Sequence, residues 1–150
     1  MRLFLLTLLL FTQAAFADLY VIAHNSFSED SVNASMLRNI YSGDTQYIND
    51  LRIIALDQDT NSENYANFYS NVIDKPMAQI ISHWSKLIFT GKGQAPMSLA
   101  GDMSVTNFVQ NNPNAIGYVD AKSKPENVKI IHTLKISNYK ALGIDSLKSR

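Results

Sequence analysis

The sequence predicts a mixed α/β domain, a sheet flanked by helices. Three observations carry this reading. Short β-branched, apolar runs alternate along the chain with segments whose apolar residues recur at helical spacing. Gly, Pro and Asn punctuate the junctions. No repeat or low-complexity linker interrupts the alternation, which favours one layered domain. Strands joined through helices can be parallel neighbours, but the strand order does not follow from the sequence.

Each element has a local cause. Leu19, Tyr20, Val21, Ile22 and Ala23 form a run suited to a buried strand. A polar stretch from His24 to Ser31 leads to a helix in which Met36, Leu37, Ile40 and Tyr41 share a face, and Ser42-Gly43-Asp44 stops it. Residues 52–56 read as the second strand and 57–61 as a polar loop. A helix over 62–73 sets Tyr65, Phe68, Tyr69, Val72 and Ile73 on one face, with Asn61 or Ser62 as its cap. Pro76 suits the first turn of the next helix. Its pattern of Met77, Ile80, Ile81, Trp84, Leu87 and Ile88 is the clearest in the chain, and Gly91-Lys92-Gly93 ends it. Asp102 reads as the cap of a fourth helix with Val105, Phe108 and Val109 facing inward, terminated by Asn112-Pro113. Residues 115–119 and 128–131 are the last two strands, and the tail after Ser137 reads as a final short helix.

Ahead of the first strand, Arg2 precedes an apolar run from Leu3 to Phe11, and Ala15-Phe16-Ala17 matches an A-x-A cleavage site. Residues 1–17 therefore read as a cleavable signal peptide. The run is shorter than the roughly 20 residues that cross a bilayer, and no Cys follows it for lipid attachment. Removing 17 of 150 residues leaves 133, so 18–150 is expected to be a single domain, periplasmic or secreted. Without Arg2, 12 Lys and Arg stand against 13 Asp and Glu, a mature net charge of −1. That balance gives no global attraction to nucleic acid or anionic membrane, and no later segment is expected to span a membrane. Leu19 follows the cleavage site almost directly, so the expected exported object is a lone compact domain.

Four motifs resemble one known family. Residues 36–43, Met-Leu-Arg-Asn-Ile-Tyr-Ser-Gly, resemble the L-x-x-I-F-x-G helix of phosphate-binding-protein-like domains. Asn67-Phe68-Tyr69 with Val72-Ile73 resembles their F-Y-x-x-V-L helix. Residues 84–92, Trp-Ser-Lys-Leu-Ile-Phe-Thr-Gly-Lys, are similar to W-x-x-x-x-F-x-G-K, and 112–119, Asn-Pro-Asn-Ala-Ile-Gly-Tyr-Val, to x-P-G-A-I-G-Y-V. The four occur in the family's order. The family comprises the substrate-binding proteins of phosphate ABC transporters and their relatives. The resemblance implies one lobe of a type 2 periplasmic binding protein-like fold. Full-length members close two lobes on an anion, so a clamp here would need a second chain.

An oxyanion site wants backbone N–H groups at a helix N-terminus together with hydroxyl donors. The resemblance implies Ser-Gly-Thr-type residues opening the helix after the second strand. The equivalent stretch runs from Asp57 to Ser62, with Thr60, Asn61 and Ser62 as candidate donors. The glycine is missing, and Asp57 and Asp59 repel an anion unless one accepts a proton from protonated phosphate. The same residue types serve as plain helix caps. A second candidate is the loop from His24 to Ser28, with Asn25, Ser26 and Ser28, at the carboxyl end of the first strand, where ligands of open α/β sheets often lie. An ordinary polar surface loop is the alternative.

Catalytic constellations are weak. His24, His83 and His132 lack metal-ligand spacing and no Cys exists, so no metal or cofactor is expected. There is no G-x-S-x-G elbow. Asp57 and Asp59 make no convincing carboxylate pair, Lys92 reads as a solvated lysine at a helix stop, and Tyr65, Phe68, Tyr69 and Trp84 read as core. The expected role is a non-enzymatic binding-protein-like module that takes phosphate or a similar small oxyanion for transport or sensing. The alternative is an envelope accessory protein that lost the ligand and binds a transporter or sensor component.

Overall fold

The structure, a computed structural model, describes residues 18–73 and 75–136. The expected signal peptide at 1–17 and the expected helix after Ser137 lie outside the described residues. In chain order the elements are β1 (Leu19–Ala23), α1 (Ala34–Tyr41), β2 (Tyr47–Ile48), β3 (Leu51–Arg52), β4 (Ile54–Gln58), α2 (Glu63–Val72), α3 (Met77–Phe89), β5 (Met97–Leu99), α4 (Asp102–Asn111), β6 (Ala115–Asp120), a 3₁₀ turn (Ala121–Ser123) and β7 (Lys129–Leu134).

Five strands form one mixed sheet in the order β5-β4-β6-β1-β7. β4 runs parallel to β5 and β6, while β1 runs antiparallel to β6 and β7. The period-two alternation of a strand splits the core between the two faces. Leu19, Val21, Ala23, Ile116 and Tyr118 join the larger cluster with Leu37, Tyr41, Phe68, Tyr69, Ile80 and Trp84 of the first three helices. Ile22, Leu56, Ala115 and Val119 face the other way, onto Val105 and Val109 of α4. Gly117 permits that second contact, because a Cβ there would meet Val105 Cγ1 at 2.5 Å.

The helices begin and end where short-range chemistry directs. Asn33 caps α1 by accepting from Met36 N at 2.8 Å, and Ser62 caps α2 by accepting from Tyr65 N at 3.1 Å. Gly43 leaves α1 with φ 79°, and a Cβ there would lie 2.8 Å from Trp84 Cη2. The glycine that stops α1 thus also makes room for the indole.

Several expectations need correction. The second main strand begins at Ile54, not Arg52, because Asn49 (φ 52°) turns the chain and Leu51–Arg52 pairs with Tyr47–Ile48 in a hairpin. The three-residue edge strand β5, Met97-Ser98-Leu99, alternates over too few residues to be read as a strand and escapes sequence reading. The cap of α4 is Gly101, at φ 140°, and Asp102 is the first helical residue. On α3 only Ile80 and Trp84 are fully buried, whereas Ile81 and Ile88 are each 56% exposed. The apolar stripe of α3 is wider than the surface that covers it. Phe108 is only partly buried against the α4 cluster.

Candidate functional site

The carboxyl end of β4 is where the chain concentrates its polar chemistry. Residues 54, 56 and 58 face α4, and 55 and 57 face the aromatic cluster, so the strand delivers Gln58 to one side and Asp57 to the other. Both side chains are buried. Asp57 accepts from the Tyr69 hydroxyl at 2.6 Å through Oδ2 and from the Tyr118 hydroxyl at 2.7 Å through Oδ1. Those phenols are fixed by packing. Tyr118 stacks on Phe68 at 3.9 Å, and Tyr41 meets Phe68 edge-on at 4.6 Å while its hydroxyl donates to Leu56 O at 3.0 Å.

Burial raises the Asp57 carboxyl from 3.8 to about 6, against the opposing pull of the two tyrosine hydrogen bonds. Burial, and then the Asp57 charge, push the Tyr69 and Tyr118 hydroxyls far above their ordinary range, so both stay protonated and remain donors. A carboxylate held in an aromatic core by hydroxyls is costly to keep charged. Strongly shifted groups of this kind often mark functional positions.

On the α4 side, Gln58 Nε2 donates to Asp102 Oδ1 at 2.7 Å and to Tyr118 O at 2.9 Å. Asn64 Nδ2, from the first turn of α2, donates to the same Asp102 oxygen at 3.1 Å, and Asp120 N donates to Asp102 Oδ2 at 3.2 Å. The Ser98 hydroxyl of β5 donates to Gln58 O at 3.2 Å. Asp102 thus ties the first turns of α2 and α4 to the ends of β4 and β6. At the start of α4 it places an anion where the helix dipole favours one.

The loop between Asp57 and α2 is compact. Asp59 O accepts from Ser62 N and Asp59 Oδ1 from Asn61 N, each at 2.8 Å. Thr60 and Asn61 are exposed and Ser62 is half-buried. The structure therefore gathers Thr60, Asn61 and Ser62 at one helix N-terminus, where the first-turn amides lack intrahelical acceptors. Ser62 Oγ accepts the cap bond from Tyr65 N, which leaves its hydroxyl proton to donate.

The loop with Asn25, Ser26 and Ser28 is not brought to them. Because β1 is antiparallel to β6, Ala23 lies opposite Ile116, and Ile116 in turn pairs with Ala55 near the start of β4. The carboxyl ends of β1 and β4 therefore sit at opposite ends of the sheet. At about 3.3 Å per residue, the five residues of β4 separate them by on the order of 13 Å. The structure does not bring the two candidate loops together. The β1 loop is itself well tied: Phe27 is buried, His24 Nδ1 contacts Ser26 Oγ at 2.8 Å, and Lys129 Nζ donates to Phe27 O at 2.6 Å.

The remaining candidates have structural roles. Lys92 N donates to Leu87 O as α3 ends, and its side chain is exposed. His83 Nε2 contacts Ser42 O at 2.6 Å, tying α3 to the end of α1. His132 Nδ1 contacts Val32 O at 2.8 Å. No group of three or more His, Cys, Asp or Glu among the described residues can hold a metal ion. No described helix is long and apolar enough to cross a membrane. Sequence reading missed Gln58, Asn64, Tyr69, Asp102 and Tyr118 as polar partners. One available signal was Asp57 itself, in step with Ala55 on an otherwise apolar strand face.

No protein-family model matches the chain, and no curated protein matches its sequence. Solved structures do match. A phosphate ABC transporter substrate-binding protein with bound phosphate from Clostridium perfringens superposes with a TM-score of 0.63 at 15% identity, over 85% of this chain and 51% of that one. An ABC-type phosphate transport receptor from Vibrio cholerae gives 0.61 at 15% identity, over 77% and 47%. PstS from Borrelia burgdorferi gives 0.59 at 18% identity, over 77% and 47%. The chain thus has the mixed α/β fold of a single lobe of a periplasmic binding protein, as its motifs imply. It spans about half the length of the structures it matches.

Proposed function

We propose that this chain is a non-enzymatic, periplasmic solute-binding-type module whose ligand is a small oxyanion of the phosphate class. Thr60, Asn61 and Ser62 at the N-terminus of α2 would meet that ligand. The observation that carries this reading is the likeness of the described fold to lobes of phosphate-binding transport proteins. A helix N-terminus with hydroxyl and amide side chains has the chemistry an oxyanion needs. Asn25, Ser26 and Ser28 are left out, since they lie at the other end of the sheet.

The same edge carries Asp57, Asp59 and Asp102, which oppose an anion. Binding by the lone lobe is therefore weak at neutral pH and strengthens as Asp57 gains its proton below about 6. Closure over the ligand needs a second lobe. Titration calorimetry of the mature protein with phosphate and sulfate at pH 5 and 7.5, alone and with any co-purifying partner, tests this. Binding at the lower pH that S62A weakens supports it, and flat titrations throughout refute it.

A second reading is favoured by one specific observation: the chain's own carboxylates already take the donors at the end of β4. In that reading the module is an envelope accessory protein that contacts a transporter or sensor component through this edge. Crosslinking in the native envelope separates the two readings, and recovery of monomer alone counts against the second.

A further inference from the structure

At the opposite end of β4 from the acidic edge lies a cavity of about 420 Å³, within the range of small-molecule pockets. It opens between the end of α1, the β2–β3 hairpin, Trp84 of α3 and the loop from Gly93 to Met97. Ile40, Ile54 and Trp84 contribute apolar lining, with Arg52, Gln94 and Asn114 as polar groups. Among the described residues Arg52 is the one charged residue in the lining, and none of those lining the cavity is acidic. The guanidinium is exposed and uses one of its five N–H groups on Gln46 Oε1 at 3.2 Å. Asn114 Nδ2 donates to Arg52 O at 3.0 Å, which leaves its carbonyl oxygen as an acceptor. Trp84, itself 8% exposed, carries a buried indole N–H with no hydrogen-bond partner among the described residues.

We propose that this cavity is a second ligand site, separate from the β4–α2 turn, for a small organic molecule that joins an apolar body to one carboxylate. The apolar lining takes the body and the Arg52 guanidinium takes the carboxylate through a charge-assisted hydrogen bond. A bare inorganic oxyanion leaves the apolar surface unused and would lose its hydration against it. Size, lining and the single cation all point to this class.

Trp84 is the only tryptophan in the chain and lines this cavity, so its signals come from the cavity wall. The mature protein is titrated with benzoate, 3-phenylpropionate and octanoate, and with the matching alcohols. The readouts are Trp84 fluorescence and the single indole ¹⁵N–¹H resonance. At least one carboxylate is expected to give a saturable change in both, with its alcohol much weaker. R52Q, at an exposed position, should weaken binding about tenfold or more, the loss of one charged hydrogen bond. A95F, which fills the cavity from the exposed loop, should abolish it, while S62A leaves it unchanged. The proposal is overturned if no carboxylate gives a saturable response, if the alcohols bind as tightly, or if R52Q binds like the parent. R52Q and the alcohols decide the matter even if A95F does not fold.

Discussion

Replacing Asp57 by Asn removes the one charge buried in the aromatic cluster and keeps nearly the same shape. In the folded chain the carboxyl is raised from 3.8 to about 6, chiefly by burial. A group whose folded pKa lies above its unfolded value holds its proton more tightly in the native state. Its stabilising contribution is complete below 3.8 and is lost as pH climbs through about 6. At 1.36 kcal/mol per decade, that interval corresponds to about 3 kcal/mol. The asparagine does not titrate, so the advantage of D57N over the parent should grow by about 3 kcal/mol between pH 3 and 7 and level off above. The assay is urea unfolding followed by far-ultraviolet circular dichroism at unit pH intervals. Histidines and other carboxylates titrate in both proteins and largely cancel in the difference. A difference independent of pH refutes the reasoning. So does one of opposite sign, which would mean that the Tyr69 and Tyr118 hydroxyls outweigh the cost of burial.

Further outcomes follow from the same geometry. Y69F takes away the hydroxyl 2.6 Å from Asp57 Oδ2. It should raise the Asp57 pKa further and cost about 1–3 kcal/mol at pH 7, with a smaller loss at pH 4 in the same unfolding curves. G117A forces a methyl toward Val105 Cγ1, and the overpacking should cost about 1–3 kcal/mol in urea midpoints. An unchanged midpoint would mean that α4 shifts freely on the sheet. S62A removes the cap of α2 and should cost about 1 kcal/mol, read by thermal unfolding. A much smaller loss would mean that the Asp59 turn holds the helix start unaided.

The local elements were largely legible because their causes are local. Ser62 caps a helix it adjoins, Gly43 stops the helix before it, and Tyr65, Phe68, Tyr69 and Val72 repeat at helical spacing on the buried face of α2. The misreadings have specific reasons. Arg52 and Ile53 look like strand because they are, in part, a hairpin strand, and only the left-handed Asn49 diverts them from the main sheet. Ile81 and Ile88 complete a helical pattern on α3 yet stay exposed, since periodicity shows that a face is apolar and not what covers it. In the sequence, Asp57 and Asp59 stand together as charges that repel an anion. The fold instead buries the first among tyrosines and leaves the second exposed in a turn.

The amino-acid sequence by itself determined the alternation of strand and helix, the cap of α2, the stops of α1, α3 and α4, and the resemblance to a binding-protein lobe. All of these rest on contacts within a few residues or on motifs read in order. Only the tertiary structure decided which candidate residues meet. The antiparallel pairing of β1 with β6 sets the loop at Asn25, Ser26 and Ser28 at the far end of the sheet from Thr60, Asn61 and Ser62. The register of β4 turns Asp57 toward Tyr69 and toward Tyr118, which lies 61 residues along the chain. Strand direction and register are settled by long-range pairing and by which faces can be buried together, and no local pattern encodes them.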